Sequence, residues 1–283
     1  MKRTLLTISF LLALFMANAQ TYKLYAGQGY TSNVYVLDPI TLDTIKFIPG
    51  AGGYRMAHCE LYNKIYTTGG DEYISVISVV NDSLINTIDP SDTVNYSYEL
   101  EPIVLSPGQT RLYVADEDTG ALFVLNTAND SVIASTTLND AYEMENMVIS
   151  PDGLFLYIVD NDDVLKVSTT TLAIVATIAV NGDAHGIDIS DDGLTLYSEA
   201  QDVVVIDVPS FSITDTIESA GYFLKLNASN SRLIGVSESS HADVTELSTG
   251  VVTMVDWQSG SARGIISHPD NSEYFIATTN GIY

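Results

Sequence analysis

The chain has 283 residues, of which 36 are acidic and 11 are basic, so its formal net charge is −25. A field of this sign repels phosphate groups, and no basic stripe interrupts it, so we expect no nucleic-acid partner, and anionic membrane surfaces are disfavoured for the same reason. Cys59 is the only cysteine. No internal disulfide can form, and stability must come from packing.

The N-terminus has the pattern of a secretory leader. Lys2 and Arg3 precede an apolar run over residues 5–16, which is too short to span a bilayer, and an Ala-Asn-Ala cleavage sequence follows at 17–19. We therefore expect residues 1–19 to be a signal peptide. Residues 20–283 then form a single monomeric domain that is periplasmic, on the cell surface or extracellular, with no membrane span.

The rest of the chain repeats one pattern seven times. Its clearest copy is a Ser-Pro-Asp-Gly turn at 150–153 followed by the strand-like Leu-Phe-Leu-Tyr-Ile-Val at 154–159. The aligned copies share a column of residues that are 37 to 47 positions apart, which we call the Tyr column: Tyr25, Tyr66, Tyr113, Tyr157, Tyr197, Ile234 and Phe275. Periods of this length are typical of four-stranded propeller blades.

Each repeat divides into four short strands. In the fourth repeat we predict strands at 146–149, 154–159, 164–168 and 173–180, with a loop at 160–163. No segment sustains a helical period, which argues against a helical solenoid, and a β-sandwich remains the alternative fold. The sequence thus predicts an all-β, seven-bladed propeller of four-stranded antiparallel blades with incomplete terminal blades.

The first and the seventh repeats are both incomplete, which bears on how the ring closes. The first repeat begins at its second strand, near Lys23, and the seventh ends where a third strand should begin, at 281–283. We therefore expect the innermost strand of the first blade to come from the other terminus. The sequence would then be a C-terminally truncated fragment, or its ring would remain imperfectly closed.

These repeats resemble a known family. The Leu-Tyr-Val-Ala strand at 112–115, with Val-Tyr-Val-Leu-Asp-Pro at 34–39 and Leu-Asp-Thr-Ile at 42–45, is similar to the YVTN-type seven-bladed propeller repeat. The resemblance covers nearly all of residues 22–283, although Asn-Ala-Ser-Asn at 227–230 departs from the usual turn. It implies an exported, surface-layer-like protein. Related propellers include lactonases and quinone- or metal-dependent oxidoreductase subunits.

Alignment on the Tyr column places one chemically active residue at the start of the innermost strand in each of six blades. This predicted ring consists of Tyr54, Glu101, Glu145, His185, Tyr222 and Arg263. An acid, histidine, arginine and tyrosine ring around one channel mouth is a candidate site for a small ligand or a metal. The alternative is a solvated rim in which Glu101 or Glu145 pairs with an arginine.

Three functions remain open. The first is a non-catalytic protein that binds a protein, glycan or small ligand on its loop face. The second is a lactonase-like hydrolase or isomerase, in which His185 or Glu145 acts as general base and Arg55 and Arg263 hold a carboxylate or oxyanion. The third, an electron-transfer subunit, lacks any haem or copper motif.

Two further groups of residues lie in the loops. Asp116, Asp118, Asp160 and Asp162 occupy equivalent loops of neighbouring blades, where oxygen ligands could hold calcium, although no EF-hand template is matched and solvated turns are the simpler interpretation. The exposed aromatics Tyr96, Tyr98, Tyr142 and Trp257 would suit a recognition patch or local packing under the loops.

Overall fold

The protein is described here by a computed structural model. It describes residues 12–17, 21–28, 33–69, 73–90, 99–139, 141–219, 221–227, 229–237, 240–257, 260–267 and 274–283. Within these residues the chain forms seven antiparallel sheets, one after another along the sequence, and almost no helix. Six sheets have four strands and the last has three.

In each sheet the strands follow one another from the centre outwards in chain order. The first four blades contain β1 (Leu12–Ala17), β2 (Thr21–Gln28), β3 (Asn33–Leu37) and β4 (Thr44–Pro49); β5 (Arg55–Cys59), β6 (Lys64–Thr68), β7 (Ile74–Ser78) and β8 (Ser83–Ile88); β9 (Leu100–Leu105), β10 (Arg111–Asp116), β11 (Ala121–Asn126) and β12 (Ser131–Thr137); and β13 (Met144–Ile149), β14 (Phe155–Asp160), β15 (Asp163–Ser168) and β16 (Ile174–Ala179).

The last three blades complete the ring. They contain β17 (Ile187–Ile189), β18 (Thr195–Glu199), β19 (Val203–Asp207) and β20 (Ser212–Ile217); β21 (Phe223–Leu226), β22 (Arg232–Val236), β23 (His241–Glu246) and β24 (Val251–Asp256); and β25 (Ala262–Ser267), β26 (Tyr274–Thr278) and β27 (Gly281–Ile282). Each inner strand from β5 to β25 contacts the inner strand of the next blade, and β1 contacts both β25 and β5. The seven inner strands therefore surround one central axis, which makes the fold a seven-bladed propeller.

The Tyr column forms the core between blades. All seven of its residues lie on the second strands, as predicted, and every one is buried. Tyr66 of blade 2 packs with Leu112 and Phe123 of blade 3, and Tyr113 packs with Leu156 of blade 4. Because each apolar cluster joins two neighbouring sheets, the aromatic column holds the blades to one another.

The repeated Ser-x-Asp-Gly turn has a simple cause. The Ser150 hydroxyl donates to Asp152 (2.6 Å) and accepts from the backbone N–H of Phe155 (3.0 Å), while Asp152 also accepts from the N–H of Leu154 (2.9 Å). Gly153 has φ +74°, a left-handed conformation that suits glycine. The turn between β17 and β18 repeats the arrangement with Ser190 and Asp192.

Two predictions about strand positions were wrong. Residues 160–163 do not form a loop, because Asp160 and Asp163 pair with each other at the ends of β14 and β15 and leave only a two-residue turn. The innermost strand of blade 1 does not come from the C-terminus. Leu12–Ala17, inside the predicted leader, pairs with Thr21–Gln28 and supplies hydrogen bonds to the inner edge of that strand.

The strand register defines two ends of the propeller. Leu100, at the start of β9, pairs with Asp116, and Met144, at the start of β13, pairs with Asp160. We call the end where the inner strands begin the mouth end. The opposite end, which carries the Ser-x-Asp-Gly turns and the connections from third to fourth strands, is the turn end.

Two blade interfaces carry a polar clamp at the turn end. Lys64 donates to both carboxylate oxygens of Asp130 (2.8 and 2.9 Å), and the Tyr66 hydroxyl donates to the same carboxylate (2.6 Å). The clamp between blades 1 and 2 repeats this with three other residues, Lys23, Tyr25 and Asp82. Each clamp therefore joins a Tyr column residue to the next blade through a carboxylate with several donors.

The next two interfaces are apolar at the same position. Asp82 and Asp130 have positive φ in the turn before the outer strand, and Leu172 and Phe211 occupy that position in blades 4 and 5. Phe211 lies 6.2 Å, centroid to centroid, from the Tyr157 ring. The Tyr157 hydroxyl is buried and has no hydrogen-bond partner within the described part of the chain.

Candidate functional site

The predicted ring lies at the mouth end. Glu101, Glu145 and Arg263 are on the inner strands β9, β13 and β25, while Tyr54, His185 and Tyr222 come just before β5, β17 and β21. This placement follows from the alignment, because residues at one register position of a repeated blade recur around the axis.

Arg55, the first residue of β5, crosses the channel. Its Nη2 donates to Glu101 Oε2 of blade 3 (3.4 Å) and to the backbone oxygen of Glu145 in blade 4 (3.1 Å). Its guanidinium carbon lies 5.1 Å from the ring centre of Phe223 in blade 6 and 5.7 Å from that of Tyr54. The Arg55 side chain is only 10% exposed, and its Nε has no hydrogen-bond partner among the described residues.

Glu101 is a buried acid, and its neighbours offset only part of the cost of burying its negative charge. Burial raises its pKa to about 7, and the charge of Glu145 adds to the rise, whereas Arg55 and a hydrogen bond with Tyr54 lower it. The 3.4 Å contact with Arg55 is at the long limit for a charge-assisted hydrogen bond. The carboxyl group therefore retains a proton to near neutral pH despite the neighbouring guanidinium.

Glu145 connects the acid pair to the aromatic side of the ring. It makes a hydrogen bond with Tyr222, and burial raises its pKa. His185 Nε2 lies 3.8 Å from Glu145 Oε1 and 3.7 Å from Asp183 Oδ2, and its ring stacks on Tyr222 with centroids 3.8 Å apart. Blades 2, 3, 4, 5 and 6 thus contribute side chains to one network across the channel.

Two further acids belong to this end and were not predicted as site residues. Burial raises the pKa of Glu117 to about 8, with added repulsion from Glu101 and Glu145, so Glu117 lies close to the network. Glu199, at the end of β18, is 8% exposed, and burial raises its pKa to about 7. Its Oε2 has no hydrogen-bond partner in the described ranges.

A sequence signal existed for one of them. Glu199 stands two residues after the Tyr column, where the other blades place Thr68, Ala115 or Val159. A carboxylate in an otherwise small or apolar column marks an exception to the repeat. Glu117 had no such signal, because it lies in a run of acids that is typical of a solvated loop.

Arg263 and the aromatic candidates are distributed around the same region. Arg263 Nη1 donates to the carbonyl oxygen of Ala262 (3.3 Å). Tyr142 is 64% exposed, whereas Trp257 Nε1 donates to the Gly260 oxygen (2.9 Å) and its ring lies 6.3 Å from that of Tyr283. Tyr96 and Tyr98 lie outside the described residues.

In the acidic loops, the buried carboxylates accept hydrogen bonds from nearby backbone N–H groups. Asp160 is buried and accepts from the N–H groups of Tyr142 (2.7 Å) and Glu143 (2.9 Å). Asp116 is buried and accepts from both the N–H and the hydroxyl of Thr119. Asp118 and Asp162 are exposed, and the described residues contain no group of three or more His, Cys, Asp or Glu side chains placed to hold a metal. Calcium at these loops stays a prediction.

The fold and this site define a β-propeller with a charged, aromatic-lined channel mouth. No model of a protein family matches the chain, so the YVTN-type resemblance stays a prediction, and no curated protein matches it in sequence. Its fold is common among solved structures. A chain of hydrazine synthase from Kuenenia stuttgartiensis is similar, with TM-score 0.80, 14% identity, and 92% of this chain and 91% of that chain covered. Likeness at this identity concerns the fold alone.

Proposed function

We propose that this protein is an exported, non-catalytic binding protein that takes its ligand at the mouth end of the channel. The proposed export rests on the leader pattern of residues 1–19. Cleavage after residue 19 would remove β1, so blade 1 of the exported protein would keep three strands, as many as blade 7 has. None of the helices in the described part of the chain has the length and apolarity needed to cross a membrane.

One observation carries the proposed binding role. Five blades contribute to a single buried network, yet the Nε atom of Arg55 at its centre has no hydrogen-bond partner among the described residues, and neither has the Oε2 atom of Glu199, which lies at the same end. Leaving a buried polar group unpaired costs about 1–3 kcal/mol. Natural cores pair nearly all such groups, so an unpaired guanidinium N–H in the middle of a buried polar network is typical of a ligand-binding site.

A thermal-shift screen tests this proposal, because a ligand that binds only the folded state raises the melting temperature. The screen contains calcium, lactones, organic amines, carboxylates and cell-surface glycans. A ligand of the mouth end should stabilise the wild type and the control Glu60→Gln, which changes an exposed acid at the turn end. It should not stabilise Glu145→Gln or His185→Ala. Equal stabilisation of all four proteins would contradict a site at the mouth end.

The lactonase-like alternative has one observation in its favour. His185, Glu145 and Arg55 lie side by side, which is the set of groups that a hydrolase of this kind needs. However, the 3.8 Å between His185 Nε2 and Glu145 Oε1 exceeds hydrogen-bond reach, and Arg55 already contacts two glutamates. Proton release from a lactone in the presence of the wild type, lost in His185→Ala, would favour the enzyme.

A further inference from the structure

A cavity lies between blades 3 and 4, on the outer side of the ring, and none of the mouth-end network residues lines it. Its volume is about 530 Å³, within the range of about 300–1,000 Å³ that is typical of small-ligand sites. One wall is formed by the end of β12 and the residues after it, and the other by β15, β16 and the turn between them. We call this space the seam cavity.

The seam cavity occurs where the repeat pattern of the outer strands changes. One fourth-strand residue in each blade is level with the position two residues after the Tyr column. In four blades this residue is an isoleucine that packs into the apolar cluster shared with the next blade: Ile48, Ile88, Ile178 and Ile217. Blade 3 instead has Thr136, which is partly exposed and lines the cavity.

The same seam also differs at the turn end. Leu172 of blade 4 has the positive-φ position at which Asp82 and Asp130 form the polar clamps of the two preceding seams. The two preceding seams therefore have both an isoleucine and a clamp, and the seam between blades 3 and 4 has neither. The cavity accordingly extends from Asp163 at the mouth end to Thr171 at the turn end.

The lining combines an apolar floor with neutral polar walls. Leu138 and Leu165, each 3% exposed, contribute the buried apolar surface. The polar groups come from both blades and are four hydroxyls, one amide and one carboxylate: Thr136, Thr137, Thr171, Thr177, Asn139 and Asp163. No lysine, arginine or histidine is among the lining residues.

This lining indicates which ligand chemistry fits. A hydroxyl group both donates and accepts hydrogen bonds, so walls with several hydroxyls suit a ligand that does the same at several points. The Asp163 carboxylate and the net charge of −25 repel an anion. A small organic cation has one charged centre and would use only Asp163, at one end of the cavity. A sugar ring has hydroxyl groups at its rim and an apolar C–H face, and therefore matches both the walls and the floor.

We propose that the seam cavity binds an uncharged saccharide. The C–H face of the sugar packs on Leu165, and its hydroxyl groups form hydrogen bonds with Thr136 and Thr177 and donate to the Asp163 carboxylate. This site is separate from the mouth end, and the inference does not depend on the proposed function.

Four probes that contain one six-membered ring test the ligand class: methyl β-glucoside, glucosamine, glucuronate and cyclohexanol. Binding to the wild type is measured by calorimetry at constant ionic strength, with cellobiose as a longer neutral saccharide. Methyl β-glucoside and cellobiose should bind. Glucuronate should fail because of its charge, and cyclohexanol because it has a single hydroxyl group. Glucosamine should bind no more tightly than the neutral glucoside.

Two variants test the site. Thr136→Ile installs the residue that four other blades carry, so it should weaken saccharide binding at least about tenfold and leave the melting temperature equal or higher. Thr177→Val removes one hydroxyl from the opposite wall with little change of shape, and should weaken binding by up to about tenfold. The matched control is Thr216→Ile, the same chemical change at an exposed fourth-strand position of blade 5 that does not line the cavity, and it should bind like the wild type.

Four results would overturn this inference. Absence of saccharide binding to the folded wild type, or binding of glucosamine without the neutral glucoside, would overturn the ligand class. Equal binding by Thr136→Ile, Thr177→Val and Thr216→Ile would overturn the seam cavity as the site. Binding that is lost in Glu145→Gln and His185→Ala but kept in Thr136→Ile would place the saccharide at the mouth end, which would support the proposed function and contradict a site between blades 3 and 4.

Discussion

Two largely buried carboxylates, Asp130 at the turn end and Glu101 at the mouth end, have opposite surroundings. At the turn end, Asp130 receives two hydrogen bonds from Lys64 and one from Tyr66, all between 2.6 and 2.9 Å. At the mouth end, Glu101 has a 3.4 Å contact with Arg55 and a hydrogen bond with Tyr54, and Glu199 keeps an oxygen without a partner within the described chain. A buried charge with a full set of donors serves the fold, whereas one left short of donors is typical of a site that awaits another molecule.

The largest effect should follow from removing a clamp. We expect Asp130→Gly to lower the free energy of unfolding by about 4 kcal/mol, because it leaves the largely buried Lys64 ammonium without a carboxylate and with only the Thr127 carbonyl oxygen as acceptor. Glycine tolerates the positive φ of this position, and Gly250 occupies it naturally in blade 6, so backbone strain does not contribute. Urea denaturation at pH 7 measures the change.

The control for this prediction is an exposed ion pair at the turn end. Arg232 and Glu246 are 54% and 38% exposed in their side chains, so Glu246→Ala should cost less than about 1 kcal/mol. A loss for Asp130→Gly no larger than that of the control would mean that the clamp has no special role in joining blades.

At the mouth end the ionised carboxylate should lower the stability of the fold, whereas Asp130 raises it at the turn end. This effect is smaller and should appear as the pH changes. Burial raises the pKa of Glu101 from an ordinary 4.5 to about 7, so the folded state holds a proton that the unfolded chain releases. The resulting stability is fully present below pH 4.5 and is lost as the pH rises through 7, a decrease of about 3 kcal/mol. Unfolding free energies measured at pH 4.5, 6 and 8.5 should show this decline.

The variant Glu101→Gln isolates this contribution. It cannot ionise, so its stability should change less between pH 4.5 and 8.5, and at pH 8.5 it should be more stable than the wild type. Glu60→Gln should keep the full decline of the wild type. An unchanged pH dependence in Glu101→Gln would show that neighbouring groups fully offset the charge of Glu101. The difference between Glu101 and Asp130 would then not exist.

The smallest effects should come from deleting one hydroxyl group within the Tyr column. Tyr66→Phe removes the donor to Asp130 and should lower the free energy of unfolding by about 1 kcal/mol. Tyr157→Phe removes a buried hydroxyl that has no partner in the described residues, so it should be neutral or stabilise by up to about 1 kcal/mol. The two variants delete the same atom, and equal midpoints in urea would contradict the distinction between polar and apolar interfaces.

The fold was predictable because its determinants are local and repeated. The Tyr column recurs in all seven blades, always on the second strand, and the Ser-x-Asp-Gly turn fixes where that strand begins in blades 4 and 5. The same alignment placed Glu101, Glu145 and His185 at one end. The position of a residue along a repeated strand decides its height along the axis, so this much of the site follows from the sequence.

The contacts within the site were not predictable in the same way. Arg55 reaches Phe223, which is 168 positions away in the chain and four blades later in chain order. No local pattern encodes the reach of a long side chain across an axis. The prediction for the inner strand of blade 1 was wrong because one sequence pattern fits two structures. The apolar segment at Leu12–Ala17 is typical of a leader and also of a strand.

The crossing of the channel by Arg55 also bears on transport through the molecule. The Arg55 side chain extends from blade 2 to contacts in blades 4 and 6, so it lies across the central axis at the mouth end. A solute that moved along the axis from one face to the other would have to displace the guanidinium from both contacts.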